Sequence, residues 1–590
     1  MIGVIEMKEI KNEILKYKEN IFNAVFAFIT FLAILIYFKI IFSYNSYNFI
    51  LLILFFLLFI FYNKYFKQYK KIDKRTKKFS MILSIILSII LIMGSLVCSH
   101  VNETTGLIFN FHTLIYLIVG VIGFTLFFRI AIANILKKLP DITVKNKRVM
   151  SRKGFIGIFL IFIICWFPYF LRYFPAVMTP DSYYAIHFVE NLELNDFHAF
   201  GHTWFFGAFY YLGKAIFHNM NMAVAFFIIF QMLISSAVFT YMIKFLYEKA
   251  IKNIYLIIIC VVLALSPLFA IYSITLWRDI LFGLAFVTLF ISLYKFVDNK
   301  YEFTISNVIM YIMSVLVILF FRNNGIYILL LFIPFFTWLI KKHRWMVLTG
   351  NLVIVALYFV IKGPIFTYFG VQKTTSVEAF SMPLQQIARV VVNEGNIDSD
   401  TYKYLSEVID INKVKQTYDP TISDFVKRAT DNEILSDDKI KFFKTWLEIG
   451  IDNPRIYIES YLCSTLGYWY PDVIYWATAG ESKSIFKDVD VYSDPLLMKG
   501  VKFDVLTSRK IPLSSVLWSI GTMFIVLVVS TFVMIYKKKA RYLLPYMPLY
   551  CLWLSLMIAS PVFAELRYIY GLFACIPLLL FVPFIKTKKE

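Results

Sequence analysis

The chain has 590 residues, of which 60% are hydrophobic and only 16% are charged. This composition is too apolar for a water-soluble globular protein, so a single soluble core is excluded. The formal net charge of +21 could suggest nucleic-acid binding, but the basic residues stand mainly in short connectors between apolar runs. That is the positive-inside pattern of a membrane protein, and nucleic acid is not expected as a partner.

Apolar runs long enough to cross a bilayer, at about 20 residues each, recur along the whole chain. Both termini are basic and an even number of crossings puts them on one side, so we expect both in the cytoplasm. The sequence predicts an all-α polytopic protein of the cell membrane with about 14 transmembrane helices. We expect these helices near residues 21–42, 47–62, 80–98, 107–134, 154–171, 220–243, 253–272, 280–296, 305–321, 325–340, 345–362, 513–536, 541–560 and 567–585.

Two stretches do not fit a plain series of crossings. The apolar run 202–217 is shorter than the ~20 residues of a crossing, and counting it would place the basic connector at Lys244 outside. We therefore expect a re-entrant or interfacial segment there. Residues 363–512 hold more acidic than basic residues, unlike the rest of the chain, and carry helix start signals such as Asn453-Pro454. They predict a mainly helical external domain.

On this topology, the first polar outer loop carries a carboxylate and two imidazoles. Asp181 lies in the segment 179–182 (TPDS), and His198 and His202 follow in the same loop. A carboxylate at the lipid boundary can act as a general base or as a metal ligand. The histidines can orient a phosphate or share a metal. The alternative that segment 179–182 only caps an interfacial helix stays open.

Later outer loops carry arginines, which the positive-inside bias makes unusual there. Arg278 lies in the outer loop just before the predicted helix 280–296, and Arg567 stands two residues after Glu565 in the last outer loop. The outer loop between the predicted helices 305–321 and 325–340 reads Arg322-Asn323-Asn324-Gly325. Guanidinium groups bind phosphate through paired hydrogen bonds, so an anionic ligand at the outer surface would account for them. The alternative is that they are ordinary interface anchors.

The external segment begins with a polar helix. Gln385, Gln386 and Arg389 lie within about two helical turns, and the residues four apart share a face. Amide and guanidinium groups suit sugar hydroxyls, although a solvated helix face gives the same pattern. No phosphate-binding glycine loop, dinucleotide glycine motif or HExxH helix occurs, which argues against ATP-driven work.

Together these outer-loop segments resemble the GT-C superfamily of membrane glycosyltransferases, which use polyprenyl-phosphate-linked sugars. More closely, they are similar to a little-characterised bacterial family of polytopic membrane proteins. The resemblance runs from about residue 154 to the C-terminus. The matching segments are 179–182 (TPDS), 202–203 (HT), 276–279 (LWRD), 322–325 (RNNG), 384–389 (LQQIAR), 467–471 (GYWYP) and 565–568 (ELRY).

The topology and the resemblance together divide the chain into four expected segments. Residues 1–150 form an N-terminal accessory transmembrane module, and 151–362 form a GT-C-like core with the catalytic outer loop. Residues 363–512 form the external domain, and 513–590 the C-terminal transmembrane helices. The active site and the external domain would both face outward.

The resemblance also implies an inverting glycosyltransferase. Asp181 would be the general base, and the donor would be a polyprenyl-phosphate-linked sugar from the membrane lipid. The acceptor would be a cell-envelope polymer, lipid or protein. The substrate-binding residues would be His198, His202, Arg278, Arg322, Asn323, Asn324, Gln385, Gln386, Arg389, Glu565 and Arg567. A divalent metal ion remains open as a cofactor.

The sequence departs from the pattern of its relatives at two points. His198 and His202 are separated, where related chains often have adjacent histidines, and this weakens a metal role. Asp181 has no acidic neighbour before Glu190. Two other classes of function stay open. A lipid or glycolipid flippase would move its substrate unchanged, and a non-catalytic scaffold would leave Asp181 exposed and far from the arginines.

Overall fold

A computed structural model describes residues 2–42, 49–140, 148–340, 342–473, 475, 482–501 and 519–586. Within these ranges the protein is all helical and contains no β-strand beyond isolated bridges. The predicted all-α class is therefore confirmed. The chain divides into two compact units. The first comprises residues 1–140, 382–431 and 438–473, and the second comprises residues 141–381, 432–437 and 474–590.

The first unit joins the four N-terminal helices to most of the helices of the acidic segment. Its four N-terminal helices are long and apolar, whereas the helices of the acidic segment are shorter. The α-helices that lie in this unit are Ile2–Phe42, Phe49–Lys70, Lys74–His100, Phe111–Lys137, Ser381–Val392, Ser399–Val408, Ile411–Thr417, Asp424–Lys427, Lys439–Asp452 and Pro454–Thr465, followed by the 3-10 turn Leu466–Tyr468.

A glycine allows the two parts of this unit to pack closely. The ring of Tyr470 lies directly on Gly94, where a Cβ atom would come within 2.2 Å of the ring. Tyr470 is fully buried, and its hydroxyl lies 3.4 Å from that of Tyr37. Any larger residue at position 94 would displace this ring from the helix surface.

The second unit contains the core helices. Its α-helices are Arg152–Arg172, Pro180–Glu190, Phe200–Phe217, Met220–Glu248, Asn253–Leu265, Pro267–Ile274, Arg278–Asp298, Ile305–Phe321, Gly325–Leu339, Arg344–Val360, Phe366–Tyr368, Asn432–Asp437, Ile520–Tyr536, Met547–Ala559, Tyr570–Ala574 and Ile576–Phe581. The second unit also contains the π-helical turn Ile361–Ile365. Its 3-10 turns are Ser376–Phe380, Ala540–Tyr546, Leu566–Ile569 and Val582–Phe584.

Nine helices in the described part of the chain are long and apolar enough to cross a membrane. The number rises to 11 if each of two bent helix pairs is one span, 253–274 with a bend of 54° and 566–584 with a bend of 42°. Three shorter apolar helices, 305–321, 325–339 and 520–536, fall below that length. The protein therefore has the helices of a multi-pass membrane protein. The predicted re-entrant stretch is the helix Phe200–Phe217, which is not among the candidate spans.

Candidate functional site

Asp181 lies in the first turn of the helix Pro180–Glu190. Thr179 and Ser182 form a capping box that begins this helix, and Pro180 stands at its first position. The capping role considered for this segment is therefore real. It does not use Asp181, whose side chain remains available for other contacts.

Pairing between two loops brings Asp181 close to the start of the helix Arg278–Asp298. The backbone N–H of Val177 donates to the carbonyl of Ile274 at 3.1 Å. The hydroxyl of Ser182 donates to the carbonyl of Leu276 at 3.0 Å, and the indole N–H of Trp277 donates to the hydroxyl of Thr179 at 2.8 Å. These bonds fix the segment around Asp181, from Val177 to Ser182, against the segment that leads to Arg278.

Arg567 contacts Asp181 directly. Its Nη1 lies 2.5 Å from Oδ2 of Asp181, and its Nε lies 3.0 Å from Oε1 of Glu565. The guanidinium also lies 5.1 Å from the centre of the Trp277 ring, in the geometry of a cation–π contact. Residues almost four hundred positions apart in sequence thus form one cluster.

Close helix packing sets the position of Arg567. The helices Arg278–Asp298 and Tyr570–Ala574 approach so closely that a Cβ atom on Gly283 would come within 2.6 Å of the Tyr570 ring. Only glycine fits this point of contact. The packing holds the turn that carries Arg567 next to the first turn of the helix that carries Arg278.

Arg322 joins the same region through an acid that the sequence interpretation did not select. Its Nη1 lies 2.9 Å from Oδ1 of Asp279, and the Asp279 side chain is only 2% exposed. Its guanidinium lies 4.4 Å from the centre of the Tyr568 ring. Arg322 therefore contacts the cluster only indirectly. Its two partners, Asp279 and Tyr568, follow Arg278 and Arg567 directly in the chain.

The two predicted histidines line a small cavity of about 10 Å³ together with Asp181 and Arg278. Nη1 of Arg278 lies 3.0 Å from Nδ1 of His198. A guanidinium can only donate, so Nδ1 must accept and the proton of the neutral ring must sit on Nε2. That Nε2 and the Nε2 of His202 are both buried, and neither has a hydrogen-bond partner among the residues that the structure describes. The cavity has room for about one water molecule, and a larger ligand must approach Asp181 from its exposed side.

Burial and neighbouring charges determine the protonation states of Asp181 and His198. Burial alone would raise the pKa of Asp181, but Arg567 and Arg278 outweigh burial and lower the pKa to about 2. The side chain is one-third exposed, so it is an ionised carboxylate that a ligand can reach. Burial and the charge of Arg278 lower the pKa of His198 to about 3. The imidazole is therefore neutral near pH 7.

Glu565 behaves in the opposite way. Burial raises its pKa to about 8 against the lowering effect of Arg567, and the carboxylates of Asp279 and Asp181 raise it further. A carboxyl group at this position is largely protonated at neutral pH. The site therefore combines one ionised and one neutral carboxyl around a single guanidinium.

Glu565→Gln tests this assignment through the pH dependence of stability. Because the pKa of Glu565 is higher in the folded than in the unfolded protein, the native state loses stability as the pH rises from about 4.5 to about 8. The expected loss is on the order of 1 kcal/mol per pH unit within that range. Thermal unfolding in detergent at pH 5 to 8 should show a smaller decline for the variant. Parallel declines would show that Glu565 is ionised throughout.

Asn323 and Asn324 do not join the cluster. The amide of Asn323 donates to the backbone carbonyl of Asp196 at 2.8 Å, and its oxygen accepts from Lys362 at 3.2 Å. The amide of Asn324 lies 3.3 Å from the hydroxyl of Ser555. These side chains hold loops of the second unit together.

Gln385, Gln386 and Arg389 belong to the first unit, where all three are buried. The amide of Gln385 donates to the carbonyl of Asp419 at 2.9 Å, and the oxygen of Gln386 accepts from the indole of Trp446 at 2.8 Å. Arg389 lies 3.7 Å from Glu459 in an ion pair that is almost completely buried. Their described contacts are those of groups that hold the packed helices in place.

Arg389→Met should therefore destabilise the first unit. The substitution removes a partner from the fully buried carboxylate of Glu459, and breaking such a pair costs about 3 kcal/mol or more. Arg455→Met is the matched control, because Arg455 also lies 3.3 Å from Glu459 but is 45% exposed. Thermal unfolding should show a clearly larger loss for Arg389. A loss of activity without a loss of stability would instead place Arg389 at a substrate.

The residues around Asp181 do not suit a divalent metal. No group of three His, Cys, Asp or Glu side chains with the arrangement of a metal site occurs among the described residues. Asp181 has Arg567 as its direct partner, and Arg278 lines the same cavity. Two guanidinium groups around one carboxylate repel a divalent cation and favour an anion.

Sequence interpretation missed several residues that shape the region. Asp279, the buried partner of Arg322, follows Arg278 at the start of an apolar helix, and an acid at that position was a usable signal. Asp196 pairs with Lys362 at 2.5 Å, and residues so far apart in sequence gave no local pattern. Trp277 and Tyr568 provide rings to the arginines, which only the folded structure could show.

Comparison with known proteins places the chain in a family. The model of the family of unknown function DUF6020 matches residues 180–590, starting one residue before Asp181. No curated protein and no solved structure matches the chain. Because the match covers well over half of its length, the chain belongs to the DUF6020 family, a family of unknown function.

Proposed function

We propose that this protein is a membrane glycosyltransferase of the GT-C type, which transfers a sugar from a polyprenyl-phosphate-linked donor to a cell-envelope acceptor. The observation that carries the proposal is the cluster of one ionised carboxylate with two guanidinium groups at one end of the core helices. Asp181 pairs with Arg567 at 2.5 Å, and Arg278 lines the same cavity. The reaction needs a base and a cationic phosphate site side by side.

In the proposed reaction, the Asp181 carboxylate takes the proton of an acceptor hydroxyl. The hydroxyl oxygen attacks the anomeric carbon of the sugar, and the bond between that carbon and the phosphate oxygen breaks. The electron pair leaves with polyprenyl phosphate, and the configuration at the anomeric carbon inverts. Arg567 and Arg278 would stabilise the charge that grows on the leaving phosphate.

The ion pair also suggests how the base is activated. While Arg567 contacts Asp181, the pKa of the carboxyl is about 2, and so acidic a group is a weak base. A donor phosphate competes for the same guanidinium. Once Arg567 turns to the phosphate, Asp181 loses its strongest stabilising charge, and its pKa and basicity rise.

The topology that fits this proposal has the cluster on the outer face. If the two bent pairs and the three shorter apolar helices also cross the membrane, they bring the nine long helices to the predicted number of 14 crossings. With both termini in the cytoplasm, the start of helix 278–298 and the end of helix 305–321 would both face outward. This is the side on which cell-envelope acceptors are found.

The test is transfer of labelled sugar in membranes that contain the protein. Polyprenyl-phosphate donors with different labelled sugars are supplied, and the label is followed into polymer, lipid and protein fractions. Covalent incorporation that depends on the protein supports the proposal. Movement of intact donor across the bilayer without incorporation would support a flippase. If neither incorporation nor movement of the donor is detected, a scaffold is favoured.

His198 offers a more selective test of the site. Its ring lines the same cavity as Asp181, and its neutral Nε2–H is a hydrogen-bond donor. It suits a single hydroxyl group of the sugar or acceptor, which is about the size of the one water molecule that the cavity can hold. His198→Asn retains a neutral amide donor, whereas His198→Ala removes it. We expect the alanine variant to lose at least tenfold more transfer activity than the asparagine variant, because an unmatched substrate hydroxyl is costly in a buried site. Equal losses would show that the ring acts only by packing.

A further inference from the structure

An apolar groove lies on the second unit, far from Asp181. Its volume is about 490 Å³, and it lies between the helices Arg152–Arg172, Met220–Glu248 and Asn253–Leu265. Aliphatic side chains such as those of Ile161, Ile257 and Val261 line it. These three side chains are about half exposed, so the groove opens to the outside of the helices.

The groove is long enough to span one bilayer leaflet. It runs from Asn253 to Leu265, and a helix of these 13 residues is about 20 Å long. One leaflet contributes about half of the ~30 Å hydrocarbon core. At Leu265 the helix ends before Pro267, and the following helix turns away by 54°. The groove therefore matches an extended acyl chain that enters from one membrane surface.

Basic residues surround one end of the groove. Arg148 donates to the carbonyl of Ile251 and to the Asn253 side chain, both at 3.2 Å. Arg152 and Lys252 begin two of the lining helices and are exposed. No described carboxylate pairs with these three side chains.

The acidic groups of the neighbouring helix ends already have partners. Asp298 pairs with Lys249 at 2.6 Å, and Glu248 lies 3.9 Å from Lys244. They do not neutralise the basic end of the groove. The positive charge there is consequently available to an anion at the membrane surface.

From this juxtaposition we propose that the groove binds an anionic phospholipid, with one acyl chain between the helices and the phosphate at Arg148, Arg152 and Lys252. Charge complementarity decides the occupant. An apolar protein helix would leave the three cations unmatched, and a soluble anion would leave the groove empty. Basic pockets between transmembrane helices bind phospholipid head groups in this way.

The proposed lipid site is independent of the glycosyl-transfer proposal. Its basic end lies at the opposite end of the helix Arg152–Arg172 from the loop that leads to Asp181, about 30 Å away for a helix of 21 residues. Loss of lipid binding would leave the chemistry at Asp181 undecided, and loss of transfer activity would leave the lipid site undecided.

Native mass spectrometry of the purified full chain tests the proposal, with phosphatidylglycerol and phosphatidylcholine as matched probes. We expect phosphatidylglycerol to bind at least tenfold more tightly. The triple variant R148Q/R152Q/K252Q should lose this preference. The control K64Q/K67Q/K71Q removes the same charge from exposed lysines of the first unit and should keep it. Val261→Trp, which fills the groove, should weaken binding of both lipids.

Three results would overturn the lipid site. Equal binding of the two lipids would remove head-group recognition, and an unchanged preference in the triple variant would place the anionic lipid elsewhere. Displacement of phosphatidylglycerol by polyprenyl phosphate at much lower concentration would assign the groove to that lipid. Thermal unfolding of each variant alongside the wild type separates loss of the site from loss of the fold.

Discussion

Asp181→Asn should reduce sugar transfer by two to four orders of magnitude while the protein remains folded. Removing a general base typically costs about 10²- to 10⁴-fold in rate. Asparagine has almost the same shape as aspartate, and Arg567 keeps its 3.0 Å contact with Glu565. The measurement is the initial rate of label incorporation from a polyprenyl-phosphate sugar, at matched protein levels in the membrane.

Asp488→Asn is the control for this experiment. Asp488 is an acid of the same unit that lies 2.7 Å from His187 on the helix that carries Asp181, and its side chain is 40% exposed. Its substitution should leave transfer activity within about twofold of the wild type, as is usual for surface changes. If Asp181→Asn were as active as this control, Asp181 would not be the base.

Arg567→Gln should lower transfer by about 10²- to 10³-fold, the usual effect of losing one donor that stabilises a developing anion. The same change removes the guanidinium that holds the pKa of Asp181 near 2. The free carboxylate of the variant should therefore be more basic than in the wild type. Arg567→Lys restores a charge but not the two-sided contact to Asp181 and Glu565, and partial recovery is expected.

A double-mutant cycle separates the two roles. If Asp181 and Arg567 act on one substrate, the double variant Asp181→Asn/Arg567→Gln should be about as inactive as the worse single variant, because residues that act as a unit have non-additive effects. Fully additive losses would indicate two independent sites. Thermal unfolding of all three variants shows how much of each effect is loss of fold.

Hydropathy was sufficient to predict the class of fold but could not resolve its details. Apolar runs predicted crossings at 154–171 and 220–243, and the structure has the helices 152–172 and 220–248 at these places. The stretch 253–272 was predicted as one crossing, whereas the structure has two helices there with a bend of 54°. Pro267 explains why the helix breaks at this point, but the angle of the bend depends on packing with neighbouring helices. Grouping of residues 1–140 with the acidic segment into one unit depends on contacts over hundreds of residues, which no local pattern encodes.

The candidate site divides in the same way. Asp181, Arg278 and Arg567 were recognisable because charged residues at the ends of apolar helices on one side need a ligand or a partner. Gln385 and Arg389 showed the same polar types on a helix face, and the face turned out to be buried inside the first unit. Residue type and spacing alone do not distinguish a buried polar contact from a binding face, because both place polar groups four residues apart.

The most direct measurement is an experimental structure of the protein in lipid nanodiscs with added polyprenyl-phosphate sugar. The proposed mechanism requires the phosphate in contact with Arg567 and Arg278, the anomeric carbon next to Asp181, and Arg567 moved away from its 2.5 Å contact with that carboxylate. A phosphate bound elsewhere, with the pair of Asp181 and Arg567 unchanged, would contradict it.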